Sequence, residues 1–241
     1  VITFTLCSGD GASFAASETV TIEIGTNATA SGTGANQITN PTAGTHTIDI
    51  AGTQTDSGAL AVAIIADDSV AVTAQVDPSI TFSISDTTIG FGDLTTANAR
   101  FATGDTNGSD TDSAAAHTMA ISTNADNGYA ITYNGATLTS GSNTIDVASI
   151  TNDADGTPGT EEFGMGFSTD GDATIATGYD HNATPANRDW AFVDSTTTTV
   201  VSETGPTATE TISAFYLANI AGNTEAGNYS TSITYIATAT F

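Results

Sequence analysis

The sequence predicts an all-β protein built as two β-sandwich domains in tandem, Ig-like or jelly-roll-like. Three observations carry that expectation. Apolar residues recur with a period of two, as half-buried strands require. No segment keeps the 3.6-residue apolar period of a helix, and the helix formers Lys, Arg and Leu are scarce. Clusters of Gly, Asn and Asp separate the alternating runs, which is where turns need them.

The elements follow in chain order. Ile2, Phe4 and Leu6 alternate with Val1, Thr3 and Thr5, and Val20, Ile22 and Ile24 alternate with Thr19, Thr21 and Glu23. The apolar run Ala59–Ala66 lies between Gly58 and Asp67. It falls short of the roughly 18 apolar residues of a membrane-spanning helix, and so reads as a buried strand. Val70, Val72, Ala74 and Val76 alternate next, then Ile80, Phe82 and Ile84, then Tyr129, Ile131 and Tyr133. Ile233, Tyr235, Ala237, Ala239 and Phe241 close the series. No transmembrane segment is expected.

A short internal repeat places a boundary. Ile2-Thr3-Phe4-Thr5-Leu6 and Ile80-Thr81-Phe82-Ser83-Ile84 share their residue classes, and Asp77-Pro78 precedes the second copy. Pro suits a linker or the first residue of a strand. Domain one is then 1–77, a small N-terminal sandwich with a candidate donor strand at 1–7. Domain two is 78–241. A domain as small as the first is marginal without disulfides, and the single cysteine, Cys7, excludes an intrachain disulfide. Domain two has Phe163, Phe167, Trp190, Phe192, Phe215 and Tyr216 to build a core. Its long polar loops, 102–116, 151–162 and 178–189, are of the kind that is functional or covered by neighbours.

Charge sets the exclusions. Charged residues are 12% of the 241, against roughly 25% in ordinary proteins. The deficit is one-sided. There are 27 Asp and Glu but two Lys and Arg, Arg100 and Arg188, giving a net charge of −25. The chain lacks the basic footprint that nucleic acids or acidic membranes require. Without Lys there is no Schiff base, P-loop or kinase ion pair.

Four sets of residues are candidate sites. Ile2, Phe4 and Leu6 form a strand able to fill a groove of a neighbouring subunit, with main-chain bonds supplying affinity and alternate pockets the register. Asp105, Asn107, Asp110 and Asp112 pack oxygen ligands into one loop, a candidate Ca²⁺ site. Asp153, Asp155 and Glu162 fall at positions 3, 5 and 12 of an EF-hand-like spacing, with Thr151 at position 1 and no flanking helices, and form the second candidate. Asn27, Asn107, Asn182 and Asn228 head Asn-x-Ser/Thr sequons and are candidate glycosylation sites. His46, His117 and His181 are dispersed, and neither a Gly-x-Ser-x-Gly elbow nor a His-Glu-x-x-His helix occurs, so the chain is not expected to be an enzyme.

Several strand and turn segments carry a resemblance. From Ser79 the order is Ile-Thr-Phe-Ser-Ile-Ser, then Ile89-Gly90-Phe91-Gly92-Asp93-Leu94 and Thr118-Met119-Ala120-Ile121-Ser122-Thr123-Asn124. Asn127-Gly128-Tyr129-Ala130-Ile131-Thr132-Tyr133 follows, and Glu225-Ala226-Gly227-Asn228-Tyr229 leads to Ile233-Thr234-Tyr235. This arrangement resembles the spore-coat-U, WxL and pilin-like group of bacterial cell-surface β-sandwiches. The Trp-x-Leu motif itself is absent, since Ala191 and Phe192 follow Trp190. The resemblance implies a secreted structural protein polymerised by strand exchange.

The expected function is therefore a subunit of an extracellular, pilus-like homopolymer at the cell surface, joined head to tail by β-strand addition. The alternative is a monomeric secreted adhesin or carbohydrate-binding protein for surface glycans, which would need exposed aromatics near Asp180 or Trp190. Copies carrying −25 each repel one another at low ionic strength. Self-association is thus expected to tighten with salt, Ca²⁺ or acid, measured by sedimentation velocity. Indifference to all three would count against acid-lined contacts.

Overall fold

The computed structural model describes residues 1–5, 17–19, 21–22, 38–52, 57–66, 69–112, 114–181 and 184–241. The chain is all-β and divides into two compact units, Val1–Ala74 and Gln75–Phe241.

In the first unit, β1 (Gly44–Ile50) and β2 (Gly58–Ile64) form an antiparallel hairpin with Ile48 opposite Leu60 and His46 opposite Val62. The pleat puts Ile48, Ile50, Leu60, Val62 and Ile64 on one face and Thr45, Thr47, Asp49 and alanines on the other. This hairpin is the only sheet among the unit's described residues. Strand β2 is not the buried strand expected of Ala59–Ala66, because Leu60 is exposed. Val70, Val72 and Val76, expected to be strand, lie in an exposed segment without strand pairing. Alternation supplies an apolar face, but a strand also needs a neighbour to pair with.

The second unit is a β-sandwich. Its strands are β3 (Ile80–Ile84), β4 (Arg100–Phe101), β5 (His117–Thr123), β6 (Tyr129–Gly135), β7 (Thr139–Ser140), β8 (Asn143–Thr144), β9 (Ser149–Ile150), β10 (Glu162–Thr169), β11 (Thr174–Ile175), β12 (Trp190–Ala191), β13 (Thr198–Glu203), β14 (Thr207–Asn219) and β15 (Ile233–Ala239). One sheet has the order β3-β5-β14-β10-β12-β9, with β4 also on β14. The other has the order β11-β13-β6-β15, and β7 pairs with β8. The pairings among these strands are antiparallel, and isolated parallel bridges join Phe163 to Val147 and Phe167 to Asp180.

The two large sheets share one core. Met119 and Ile121 of β5, Phe163, Met165 and Phe167 of β10 and Ile212 and Ala214 of β14 meet Ile131 and Tyr133 of β6 and Val200 of β13. Each large apolar side chain so buried contributes about 1.5–3 kcal/mol. Strand β10 departs from simple alternation because both its faces are covered. A Cβ on Gly164 would lie 3.0 Å from Trp190 Cβ, and one on Gly166 would lie 3.1 Å from His181 Cβ. These glycines admit a second, smaller core of Ala99, Phe101, Ala148, Trp190 and Leu217 on the sheet's outer face.

One buried acid is held without a cation in its hydrogen-bond set. Glu210 sits beside a register shift in β14 and accepts from Tyr129 Oη at 2.8 Å, from Ala173 N at 3.0 Å and from Thr169 Oγ1.

The turn carrying the chain from β5 in one sheet to β6 in the other depends on Gly128. Its φ is +68°, and a Cβ there would stand 1.9 Å from Glu203 O. Gly128→Ala is expected to destabilise the protein by about 3 kcal/mol, since backbone strain and a backbone clash coincide. Urea unfolding followed by Trp190 fluorescence would check this.

Candidate functional site

The sandwich is open along one side. Among the described residues, strand β3 ends the first sheet and pairs only with β5, and β15 ends the second and pairs only with β6. Between the end of β3 and the start of β15 lies a cleft of about 1070 Å³. Its first wall is Ile84 and the segment after it, with Ile89, Phe91 and Leu94 half-buried. Its second wall is Ile220, Tyr229, Ile233 and Tyr235. Leu138, Phe163, His117 and Tyr216 form the floor, while Asp86, Asp93 and Glu225 add acidic groups to the lining.

The first wall is not regular strand, and Arg100 holds it in place. Arg100 Nε and Nη2 donate to Phe91 O at 3.0 and 2.8 Å, and Nη1 donates to Asp110 Oδ1 at 2.6 Å. Nη2 also donates to Asn107 O. One side chain thereby joins the cleft wall to the acidic loop behind it. The two segments touch backbone to backbone. Gly108 has φ +62°, and a Cβ on it would lie 2.1 Å from Phe91 O.

The other arginine serves the same loop. Arg188 Nη1 donates to Asp112 Oδ2 at 2.6 Å, and His181 Nε2 donates to that oxygen at 2.5 Å. The His181 ring stacks on Phe215 with centroids 3.6 Å apart and meets Trp190 edge-on. Asp112 Oδ1 is buried without a hydrogen-bond partner among the described residues. Both basic side chains of the chain are thus paired with the loop that the sequence marks as a Ca²⁺ candidate.

That loop's oxygens are engaged by the protein itself. Besides the two ion pairs, Asp105 Oδ1 accepts from Thr103 Oγ1 at 2.7 Å and from Asn107 N at 2.9 Å, and these bonds hold its carboxyl below the usual range. In the second acidic loop, Asp153 Oδ1 accepts from Asp155 N at 3.1 Å. Glu162 Oε2 accepts from Thr157 N at 2.7 Å and from Asn219 Nδ2 at 2.8 Å. Among the described residues no three His, Cys, Asp or Glu side chains come together as a cation cage.

The remaining candidates fall in different places. Ile2 and Phe4 are exposed and in no strand, while Leu6 and Cys7 lie outside the described residues. Asn107 is exposed beside Arg100, and Asn228 is exposed in the cleft lining. Asn27 and Asn182 lie outside the described residues. Trp190 is fully buried, and its indole N–H donates to Asp153 O and Ala154 O, so it presents no stacking surface to a sugar.

The polar floor of the cleft was not legible in the sequence. His117 Nε2 lies 2.8 Å from Tyr216 Oη, Tyr216 Oη lies 2.5 Å from Tyr235 Oη, and Tyr235 Oη donates to Met165 Sδ at 3.6 Å. Burial holds His117 below the usual imidazole range, against the pull of the Thr118 backbone and, more weakly, of Asp86. Burial likewise raises the Tyr216 and Tyr235 hydroxyls. The arginines were findable, since two cations among 27 acids must serve specific partners. No family model, curated protein or solved structure matches the chain.

Arg100→Gln should lower the unfolding free energy by about 2 kcal/mol, the scale of hydrogen bonds to a charged group. Hydrogen exchange should quicken in 89–94 before it does in β10. Uniform quickening across the unit would argue that Arg100 does not hold the wall specifically.

Proposed function

We propose that this chain is a structural subunit of an extracellular, pilus-like homopolymer, in which residues 1–7 of one copy add as a strand to the cleft of the next. The reading rests on one observation: an apolar-walled cleft lies between two sheet edges that have no further strand partner among the described residues. An uncovered edge of this kind invites another strand. The chain also carries a segment of suitable form. Ile2-Thr3-Phe4-Thr5-Leu6 repeats the residue classes of β3, which docks Phe82 and Ile84 on the core beside that cleft. Five residues of strand span roughly 17 Å.

Charge supports the same mode of assembly. Both arginines already have partners within the second unit, and Lys is absent, so a cross-subunit salt bridge has no basic side chain to draw on without losing an internal one. Main-chain pairing and aliphatic side chains need no counter-charge. The role is structural and extracellular, with no catalytic step.

A protein lacking residues 1–7 should fold and remain monomeric. Ile89→Asp should block the acceptor wall while leaving the donor segment intact. Either protein alone should give no fibres by negative-stain microscopy, and a mixture of the two should stop at dimers. Fibres formed without residues 1–7 would refute strand addition by this segment.

A further inference from the structure

The cleft floor contains a hydrogen-bond relay that bridges the two sheets. His117 on β5, Tyr216 on β14 and Met165 on β10 belong to one sheet, and Tyr235 on β15 belongs to the other. The direction of the relay follows from its ends. Met165 Sδ can only accept, so the Tyr235 hydroxyl donates to it. Tyr216 then donates to Tyr235, and His117 Nε2–H donates to Tyr216. This is the order in which every hydrogen of the relay has an acceptor. It leaves Nδ1 of His117 as a bare lone pair, and that atom is buried without a partner.

Resting on the strand-addition reading, we propose that His117 is an acid-sensitive latch of the cleft, which accepts a strand while the imidazole is neutral and releases it when Nδ1 takes up a proton. The geometry supplies the reason. A proton on Nδ1 would create a buried cation, and the cost of its burial outweighs the support of the Thr118 backbone. The ionisable groups facing the ring are Tyr216 from β14, Tyr235 from β15 and Asp86 from the segment after β3. Of these only Asp86 is an anion, and it lies in the cleft lining. An imidazolium is therefore drawn toward Asp86, which lines the space a donor strand would fill. An inserted strand in turn removes water from the ring and opposes protonation. Binding and protonation are linked and mutually antagonistic.

The sign follows from the depressed value. Burial keeps His117 below the ordinary 6.5 of imidazole, so just below pH 6.5 an unfolded chain binds the proton more readily than the folded one. The contribution of the neutral ring to stability is complete above that pH. It falls as pH drops from 6.5 toward the native value.

The test uses the full chain and a fluorescein-labelled peptide of sequence Ile-Thr-Phe-Thr-Leu. Between whole copies acid relieves carboxylate repulsion and protonates His117, with opposite effects on assembly; the peptide has no acidic side chain and so isolates the second effect. Affinity should weaken by up to about tenfold per pH unit below the His117 pKa. His117→Gln keeps a donor toward Tyr216 and cannot take the proton, so its affinity should stay flat between pH 7.5 and 5. An equal slope in both proteins overturns the latch. A second readout needs no variant to bind and no peptide. By NMR, the His117 ring should titrate below 6.5 with the Tyr235 ring signals moving in step. Titration at or above 6.5, or without movement of Tyr235, also overturns the latch. Should the peptide bind at no pH, strand addition fails, and the NMR titration alone then decides whether acid releases the floor.

Discussion

Both arginines of this chain hold one loop, and the organisation of the second unit depends on that. In a protein carrying −25, the field everywhere favours keeping a cation, and two are present. Arg100 joins the loop to Phe91, so the wall of the cleft stands where it does because a guanidinium fork reaches two backbone carbonyls and a carboxylate at once. Arg188, with His181, joins the other end of the loop to the cover over β10 and β14. An ammonium group could not replace Arg100, because three diverging acceptors need a planar fork. The pairs differ in strength. Asp110 is largely exposed and its pair is screened, while the Asp112 side chain is only 3% exposed and its partners cannot be removed without stranding a charge.

The cleft is a consequence of how the sandwich is finished. On the outer face of the larger sheet, Gly164 and Gly166 let Trp190 and His181 pack closely, and loops close over the strands. Between the sheets, the core is filled from β5 to β10. At the β3 and β15 margin this filling stops, and half-buried Ile84, Ile89, Tyr229 and Ile233 border a space instead of one another. The polar relay belongs there for a physical reason. Tyr235 on an edge strand reaches the opposite sheet, and its hydroxyl, once buried, needs a partner that Tyr216 and Met165 provide.

Much of the fold was legible because period two reports a half-buried strand directly. Ile80–Ile84, Tyr129–Tyr133 and Ile233–Ala239 are strands as their alternation predicts. Phe163, Met165 and Phe167 alternate in the same way on the inner face of β10, but glycines on its outer face hide a second buried side that alternation does not record. The acidic loops were legible as loops but not in their bonding, since the partners of Asp112 lie far along the chain at His181 and Arg188. The cleft floor was hidden for the same reason. His117, Tyr216 and Tyr235 look like ordinary inward positions of three separate strands, and only the sheet order brings them together.

Two segments of near-identical sequence adopt different structures. Ile80-Thr81-Phe82-Ser83-Ile84 is a strand because β5 offers it a main-chain edge, with Phe82 opposite Ile121 and Ile84 opposite Met119. Ile2-Thr3-Phe4-Thr5 has the same alternation and no such edge among the described residues, and Ile2 and Phe4 stand in solvent. Nothing in the side chains separates the two; what differs is the presence of a neighbour. Backbone donors and acceptors left to water hold a segment only loosely, whereas pairing and apolar burial together fix its register. In the proposed assembly this segment and the cleft, both without a strand partner among the described residues, are the two halves of a contact between copies that needs no added charge.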